Sequence, residues 1–369
     1  MLDFFIPAIA VGGITAFLAL LISLTDRIVN NYGDVEIDIN NGKKKLIAKG
    51  GSPLLATLSR EGIFVPSACG GRGSCGACKV KVLSDVGQHL PTEIPYLTPE
   101  EIAENMRLSC QIKVKQPISI EIPEELFLVR RLTTTVESIK DLTHDIKEVR
   151  FKLPEGTNMP FKPGQYVQLV VPPYGKIKES TQRAYSISSV PTEEGVVELL
   201  IRLVPGGIAT TYVHEHLKEG DSIDIVGPFG DFYLRDTDAI MLCVAGGSGM
   251  APIKSILMDM YNRGATDRDV WFFFGARTQK DLFYVDMWKE LEKKWPRFKF
   301  VPALSEEPDY EGETGLITEV LAKYIQEKIP AEASKEGYLC GSPGMLNACI
   351  NVMRSFDIPE EKIYFDKFA

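Results

Sequence analysis

Residues 69–78 read CGGRGSCGAC, a ten-residue stretch that holds three cysteines and four glycines. A fourth cysteine, Cys110, follows 32 positions after Cys78. The chain has 369 residues and seven cysteines in all. An odd number of cysteines in a chain of this length does not fit a secreted disulfide framework. The spacing therefore indicates a metal centre.

Two kinds of metal centre compete for Cys69, Cys75, Cys78 and Cys110. Structural zinc usually takes its thiolates as two close pairs. Three ligands from one loop and one from a later strand are instead typical of plant-type [2Fe–2S] ferredoxins, although five residues rather than four separate the first two cysteines here. Glycines in such a loop allow the positive φ angles that aim backbone N–H groups at cluster sulfurs. We expect a [2Fe–2S] cluster, with zinc as the alternative.

An uncharged stretch opens the chain. From Phe4 to Leu24 no residue is charged, and about 20 apolar residues suffice to cross a bilayer. The alternative, a cleaved signal peptide, lacks its basic start and its small-residue cleavage site. The first positive charges, Arg27 and Lys43 to Lys45, follow this stretch. We therefore expect a single-pass helix in the cell inner membrane, with the remaining domains in the cytoplasm.

Three folded domains are expected after an anchor at residues 1–30, which makes the fold class multidomain α+β and α/β. Residues 31–126 combine a hairpin pattern around Asn41-Gly42 with short strands and helical segments. Residues 127–235 contain short strands separated by Pro and Gly, which is typical of an antiparallel β-barrel. Residues 236–369 alternate apolar strands with helices, which predicts a parallel sheet covered on both faces.

The barrel segment carries the sequence RAYSISS at 183–189. Arg183 can form a bidentate contact with a pyrophosphate, Tyr185 can stack on a flat ring, and Ser186 can donate to a ring nitrogen. Residues 207–211 support this interpretation of the short motif, because they are expected to begin a helix whose N–H groups can face a phosphate. The two motifs together predict a flavin site.

Two glycine turns follow buried strands of the α/β domain. AGGSGMAP at 245–252 opens a helix, but Pro252 stands where a dinucleotide-binding motif has its last glycine. CGSPGM at 340–345 ends another buried strand. Because open α/β sheets bind ligands at the carboxyl ends of their strands, both turns are expected to line a nicotinamide nucleotide.

In this order the motifs resemble ferredoxin:NADP⁺ reductase-type modules fused to a [2Fe–2S] domain. Nearly the whole chain is similar to the F subunits of the sodium-translocating NADH:quinone oxidoreductases. The segments that carry the resemblance are SACGGRGSCGACKVKV, RLSCQI, RAYSISSVP, GPFGDF, GGSGMAP, FFGARTQKDLFYVD and CGSPGM. The chain departs from that family in PPYGKIKESTQ, which is short where the family carries a long insertion before RAYS.

The resemblance implies a β-grasp cluster domain, an FAD-binding barrel and an NAD(H)-binding domain. It implies that the four cysteines ligate the cluster and that Ser186, Cys340 and Phe368 act at the reacting rings. Asp366 would orient neighbouring groups, and Phe368 would cover the flavin face. The implied cofactor-binding residues are Arg183, Tyr185, Ser186, Arg202, Gly207, Ala209 and Thr210 for FAD, and Gly247, Gly249, Pro252 and Arg277 for the nicotinamide nucleotide, with Asp366 and Phe368 beside them.

The implied function is oxidation of NADH. A hydride passes to FAD, single electrons pass to the cluster, and other subunits of a membrane redox complex carry them to quinone. FAD is needed between NADH and the cluster, because a nicotinamide gives up two electrons together and the cluster accepts one electron at a time. NADH is favoured over NADPH because GARTQKD offers only Arg277 and Lys280 to a 2′-phosphate.

Two other functions remain open. The chain could serve an oxygenase or another soluble acceptor as its reductase, or it could be an adaptor that has lost its cofactors. The intact four cysteines and the intact RAYS motif argue against the adaptor. The net charge of −9 argues against a nucleic-acid partner.

Overall fold

The computed structural model describes residues 2–29 and 32–367, without the side chains of 2–10, 24, 26–29 and 367. The chain divides into two compact units, Met1–Leu128 and Val129–Ala369. The expected anchor falls in the first helix, α1 (Leu2–Val29). Within the part of the chain that is described, no helix is both long and apolar enough to cross a membrane.

The rest of the first unit is a mixed five-stranded sheet with two short helices. The strands lie in the order β2-β1-β5-β3-β4, with β1 and β5 parallel and the other neighbours antiparallel. The side chains of β1 alternate between exposed and buried, as a strand with one covered face requires. This arrangement agrees with the implied β-grasp domain. The elements are β1 (Asp34–Ile39), β2 (Lys44–Lys49), α2 (Leu54–Arg60), β3 (Lys79–Val82), α3 (Pro99–Ala103), β4 (Met106–Leu108) and β5 (Ile118–Glu121).

A buried ion pair fixes the segment that precedes β4. Arg107 donates to Glu93 through Nη2 at 2.7 Å and Nε at 3.0 Å, and the two side chains are 3% and 0% exposed. The N–H of Leu108 also donates to Glu93, at 3.0 Å. Burial by itself raises the pKa of Glu93, but Arg107 and backbone N–H groups lower it below its usual value. The pair therefore ties this segment to the strand that leads into Cys110.

The second unit begins with a six-stranded antiparallel barrel. The strands lie in the order β10-β7-β6-β11-β8-β9, and a bridge between Ile187 and Leu199 joins the end of β9 back to β10. The predicted barrel is confirmed. A four-residue helix, α4 (Ile208–Thr211), follows β10. The strands are β6 (Arg130–Asp141), β7 (Ile146–Lys152), β8 (Tyr166–Val171), β9 (Thr181–Ser186), β10 (Val196–Arg202) and β11 (Ser222–Phe229).

The unit ends with a parallel sheet in the order β15-β14-β13-β12-β16-β17. Successive residues of β12 point to opposite faces: Cys243 joins the core under α5 and α6, and Val244 joins the core under α7 and α8. The predicted sheet covered on both faces is confirmed. The elements are β12 (Ile240–Gly246), α5 (Met250–Asn262), β13 (Val270–Ala276), α6 (Val285–Lys294), β14 (Phe298–Leu304), β15 (Glu313–Thr314), α7 (Ile317–Glu327), β16 (Lys335–Gly341), α8 (Pro343–Ser355) and β17 (Ile363–Lys367).

The order of the strands reverses between β12 and β16. The chain runs outward from β12 through β13 to β14 and β15, and then returns to β16 and β17 on the other side. Such a switch point leaves a crevice at the carboxyl ends of its two central strands. Both predicted glycine turns begin at this crevice, because one follows β12 and the other follows β16.

Replacing Arg107 with Met tests the buried ion pair. The change leaves the Glu93 carboxylate buried without its cation, so we expect the opening free energy of residues 85–110 to fall by about 3–5 kcal/mol. Hydrogen–deuterium exchange of peptides from this segment measures that energy.

Lys45→Met is the matched control, because it removes an ion pair with Glu36 whose side chains are 61% and 49% exposed. Loss of such a pair should change the opening free energy by less than about 1 kcal/mol. Exchange in Arg107→Met that matches the control would contradict the prediction.

Candidate active site

The cysteine loop between α2 and β3 is built on glycines. Gly70, Gly71, Gly73 and Gly76 all have positive φ, from +69° to +85°. At Gly76 the need is also steric, because an added Cβ would lie 2.9 Å from the Cβ of Tyr96. The loop therefore curls as the sequence predicts, in a conformation that side chains with a Cβ rarely adopt.

The four thiols form two pairs. Cys69 hydrogen bonds with Cys75, and Cys78 hydrogen bonds with Cys110. The ladder between β3 and β4 positions the second pair, and the N–H of Ser109 donates to the carbonyl of Cys78 at 2.8 Å. Among the described residues, no group of three or more His, Cys, Asp or Glu surrounds a single ion. Two thiol pairs match the two irons of a [2Fe–2S] cluster.

Hydrogen-bond donors around the thiols favour the thiolate. Burial by itself raises the pKa of Cys69, but the N–H groups of Ser74 and Arg72 and the Cys75 thiol bring it down to about 6. The Cys78 thiol lowers the pKa of Cys110 to about 7, and Nε2 of Gln111 donates to the Cys110 sulfur at 3.6 Å. Burial raises the pKa of Cys75, and the Cys110 thiol raises that of Cys78, so one cysteine of each pair favours the thiolate that iron binds.

Three strands from two domains meet at the second candidate site. Ser186 ends β9 and is 3% exposed, and its hydroxyl donates to Oδ2 of Asp366 at 3.1 Å. Asp366 lies on β17 directly beside Cys340 on β16. The structure thus brings together three residues that the sequence spreads over 180 positions.

The first glycine turn packs directly against Cys340. An added Cβ at Gly249 would lie 2.1 Å from the carbonyl oxygen of Cys340 and 2.9 Å from the N of Gly341. Only glycine can stand this close to another backbone. Pro252 is buried in the first turn of α5, where its ring suits the start of a helix. The turn and the Cys340 strand end therefore form one surface.

The environment of Cys340 keeps it a neutral thiol. The residue is fully buried, and burial, followed by the nearby Asp366, raises its pKa well above the usual value. Burial also raises the pKa of Asp366, and the hydroxyl of Ser186 offsets part of that rise. A protonated thiol is a poor nucleophile. These side chains are therefore suited to packing and orienting a ligand ring.

The other expected flavin residues lie around β9. Arg183 donates to the carbonyl of the preceding residue at 2.7 Å, and Tyr185 packs against the barrel core. The helix α4 lies beside β9, with Ala209 buried. The hydroxyl of Thr210 accepts from the N–H of Val204 at 3.1 Å, so it stabilises the turn between β10 and α4.

Two arginines and one phenylalanine are the remaining residues expected to bind the cofactors. Arg202 donates to Asp145 at 2.7 Å, and an added Cβ at Gly247 would lie 3.6 Å from its Nη1. Arg202 therefore faces the Gly247–Gly249 turn as well as the barrel. Arg277 is exposed at the end of β13, 3.8 Å from Glu306. Phe368 lies outside the described residues.

Sequence reasoning missed a group of charged residues between the barrel and the α/β domain. Glu198 is buried in the middle of β10 and contacts Lys254 of α5 at 2.5 Å. One carboxylate inside the apolar run VVELLIR was a visible signal. Buried carboxylates are rare without a partner, so the partner could have been sought on the neighbouring domain.

Family models match all three domains. A "2Fe-2S iron-sulfur cluster binding domain" matches residues 37–115, an "Oxidoreductase FAD-binding domain" matches residues 133–233, and an "Oxidoreductase NAD-binding domain" matches residues 243–350. The [2Fe–2S] cluster, FAD and NADH are therefore the cofactors of this chain.

Curated relatives resemble the chain over nearly its full length. The F subunit of the Na(+)-translocating NADH-quinone reductase of Idiomarina loihiensis is 39% identical, over 91% of this chain and 92% of its own. The corresponding protein of Pseudoalteromonas atlantica is 36% identical over all of both chains. The chain belongs to the family of F subunits of Na(+)-translocating NADH-quinone reductases. It is an NADH oxidoreductase.

Solved structures show the same three-domain architecture. The cytochrome P450 reductase GcoB of Amycolatopsis is 30% identical with a TM-score of 0.73, covering 90% of this chain and 98% of its own. The ferredoxin reductase in carbazole 1,9a-dioxygenase is 25% identical with a TM-score of 0.68, covering 91% and 99%. Within the family, the alignment with the P. atlantica protein spans 408 positions, whereas this chain has 369 residues. The chain therefore lacks segments that this relative has.

Replacing Asp366 with Asn tests the electrostatics of the second candidate site. Burial raises the pKa of Asp366, so the folded state holds its proton more tightly and loses stability as pH rises from the usual value of 3.8. We expect Asp366→Asn to be more stable than the wild type at pH 7, because the amide has no charge to bury. The gain should shrink as pH falls toward 3.8.

Thermal unfolding of both proteins between pH 4 and pH 8 measures the difference, with the exposed Asp309→Asn as the control for charge removal. A gain that grows on acidification would contradict the prediction.

Proposed function

We propose that this chain is the NADH-oxidising subunit of a membrane complex that reduces quinone and translocates sodium. The meeting of Ser186, Cys340 and Asp366 beside the turn at Gly249 carries the proposal. It supports a site where a nicotinamide ring meets a flavin ring, in a chain that also carries two thiol pairs for a cluster. The names of the curated relatives supply the quinone and the sodium ion.

The chain's own residues prepare this site for hydride transfer. FAD, when bound, supplies the change from accepting an electron pair to donating single electrons. Ser186 holds a proton on its hydroxyl, which Asp366 orients through the 3.1 Å hydrogen bond. The neutral Cys340 thiol fills the floor of the site and excludes water. None of the three needs to exchange a proton with the substrate.

We assign the remaining binding roles by position in the fold. Residues around β9 and α4 support FAD, and the two glycine turns support NADH. Arg202 lies between the two sets, and we assign it to FAD. The assigned residues are Arg183, Tyr185, Gly207, Ala209 and Thr210 for FAD, Gly247, Gly249, Pro252 and Arg277 for NADH, and Cys69, Cys75, Cys78 and Cys110 for the cluster.

The loops after β13 and β14 support NADH as the donor. Arg277 lies 3.8 Å from Glu306. The N–H and the side-chain amide of Gln279 both donate to Glu307, at 3.0 Å and 2.8 Å. The carboxylates of Glu306 and Glu307 thus occupy the donors that a 2′-phosphate would need. Their negative charge would also repel the phosphate. This arrangement favours a cofactor with a free 2′-hydroxyl.

We propose that α1 anchors the chain as a single membrane-spanning helix, with the cofactor domains in the cytoplasm. From Val11 to Ile22 its large apolar side chains are between 44% and 69% exposed, so no part of the described protein covers them. A helix with apolar side chains exposed all round is stable where lipid replaces water.

Deletion of residues 2–30 tests the anchor. The full chain should stay in the membrane pellet after alkaline carbonate washing, and the shortened chain should move to the supernatant with its flavin. A shortened chain that resists the wash as the full chain does would contradict the anchor.

Cys75→Ser tests the electron path. The serine hydroxyl cannot replace the thiolate as a cluster ligand, so we expect NADH to bleach the flavin absorbance as in the wild type while quinone reduction in membranes falls to background. Anaerobic stopped-flow absorbance and a quinone-reduction assay measure the two steps. Cys349→Ala, which changes a buried cysteine in α8, is the control. Quinone reduction at the wild-type rate in Cys75→Ser would overturn the ligand assignment.

The second candidate function is a reductase for a soluble acceptor. The full-length likeness to the P450 reductase and to the dioxygenase ferredoxin reductase favours it. The proteins that co-purify with the chain separate the two functions. Membrane subunits support the quinone complex, and a soluble oxygenase component supports the alternative.

A further inference from the structure

One carboxylate lies where the barrel strand β10 is otherwise apolar. Glu198 is 4% exposed and stands between Val197 and Leu199, which are core residues. A buried carboxylate without partners costs several kcal/mol, so its partners decide whether it can stay charged. Two cations reach it: Nζ of Lys254 at 2.5 Å and Nη1 of Arg150 at 3.2 Å. Burial by itself raises the pKa of Glu198, but these cations hold it below its usual value.

The two cations come from different domains. Arg150 lies on β7 directly opposite Glu198 in the barrel, whereas Lys254 lies on α5 of the α/β domain. The side chain of Lys254 is 14% exposed. The next residue on α5, Ser255, donates its hydroxyl to the carbonyl of Ser189 at 2.6 Å. The first part of α5 is therefore attached to β10 and to the segment that follows β9.

A tyrosine makes a second attachment at the same place. Tyr284 precedes α6 and adopts the left-handed conformation, with φ of +58°, which costs a non-glycine residue about 1 kcal/mol. Its hydroxyl donates to Glu148 on β7, and its ring lies 5.1 Å from Nζ of Lys254. We call Glu148, Arg150, Glu198, Lys254 and Tyr284 the interdomain ion cluster.

The interdomain ion cluster is connected to both halves of the proposed hydride site. On one side, Lys254 lies on α5, five residues after the Gly247–Gly249 turn that precedes this helix. On the other side, the segment bound by Lys254 and Ser255 begins two residues after Ser186. A shift of α5 relative to β10 would therefore move the nicotinamide turn relative to the flavin strand.

A contribution to folding stability does not by itself explain why buried charges occur here. Replacing a buried ion pair with apolar residues of similar size is often neutral or stabilising. Buried ion pairs instead demand fixed geometry, because each charge must keep its partner. Hydride transfer has the same demand, since displacement of the reacting groups by about 1 Å can slow a reaction about a hundredfold.

We propose that Glu198 and Lys254 are positioning residues for hydride transfer, which fix the nicotinamide turn against the flavin strand. The inference rests on the proposed site for NADH and FAD. It adds a function for two residues that lie outside the turn and outside β9. The cluster holds the two domains at one separation, and that separation sets the distance over which the hydride moves.

The test uses the full-length protein with its cofactors. In Lys254→Met, the rate of flavin bleaching on anaerobic mixing with saturating NADH should fall about tenfold or more. The NADH concentration that gives half the maximal rate should change by less than about threefold, because the residues of the turn are intact. Hydrogen–deuterium exchange of residues 245–256 should increase, which reports the loosened turn without reference to turnover.

Two further variants make the outcome decisive. Glu198→Gln keeps the shape of the side chain and should slow bleaching as Lys254→Met does, and the double variant should be no slower than either, because one contact is lost in all three. Arg263→Met is the matched control. It removes an ion pair with Asp259 of α5, 2.7 Å long, whose two partners both belong to the α/β domain, so it should lower stability and leave the bleaching rate unchanged.

Wild-type bleaching by NADH is the reference for the proposed site. If the wild type does not bleach, the proposed hydride site fails. If the wild type bleaches and Lys254→Met bleaches equally fast, the positioning role fails alone. The role also fails if the variant slows only in proportion to the FAD it has lost or to a fall in melting temperature that Arg263→Met reproduces.

Discussion

The proposed hydride site depends on the contact between Gly249 and the backbone of Cys340. The space between them is too small for a methyl group, so the glycine turn and the end of β16 are closely packed. Cys340 is paired in turn with Asp366 on the edge strand β17, and Asp366 reaches Ser186 on the barrel. One close approach of two backbones thus gathers residues from the switch point of a parallel sheet and from a separate barrel into a single site.

Two buried ion pairs act in different ways in the two units. The pair of Glu93 and Arg107 is local to the cluster domain, where it fastens a loop to the strand before Cys110. The pair of Glu198 and Lys254 crosses from one domain to another. Each demands fixed geometry around a charge that water cannot reach, and each lies close to residues that we propose for a cofactor site. Burial of charge is costly, so its use at these places indicates a need for position more than for stability.

Much of the fold could be predicted because its signals are local. The Asn41-Gly42 turn, the Pro- and Gly-separated barrel strands and the apolar strands of the parallel sheet each depend on residues near one another in the chain. The glycines of the cysteine loop were predictable for the same reason, since positive φ is a property of single residues. We expected the two glycine turns to meet because ligands of open α/β sheets bind at the carboxyl ends of the strands. This rule depends on the topology of the sheet and not on particular residues.

The interdomain contacts could not be predicted in this way. Glu198 and Lys254 are 56 positions apart, and neither belongs to a motif with a fixed spacing. The bond between Ser186 and Asp366 joins residues even further apart, and its existence depends on how the barrel packs against the sheet. Packing between domains is set by shape and charge over large surfaces. The residues that form such a surface are scattered along the chain, so no local pattern reveals them.

The protonated state of Cys340 has a consequence for the lifetime of the protein. Reduced flavins that meet oxygen release hydrogen peroxide, and peroxide attacks thiolates far faster than thiols. A thiolate beside the flavin would be converted stepwise to sulfenic and then sulfinic acid, and the second step is not readily reversed. Because Cys340 is fully buried and its pKa is raised, we expect its sulfur to react slowly with peroxide. Burial would thus protect the proposed site from oxidation as well as shape it.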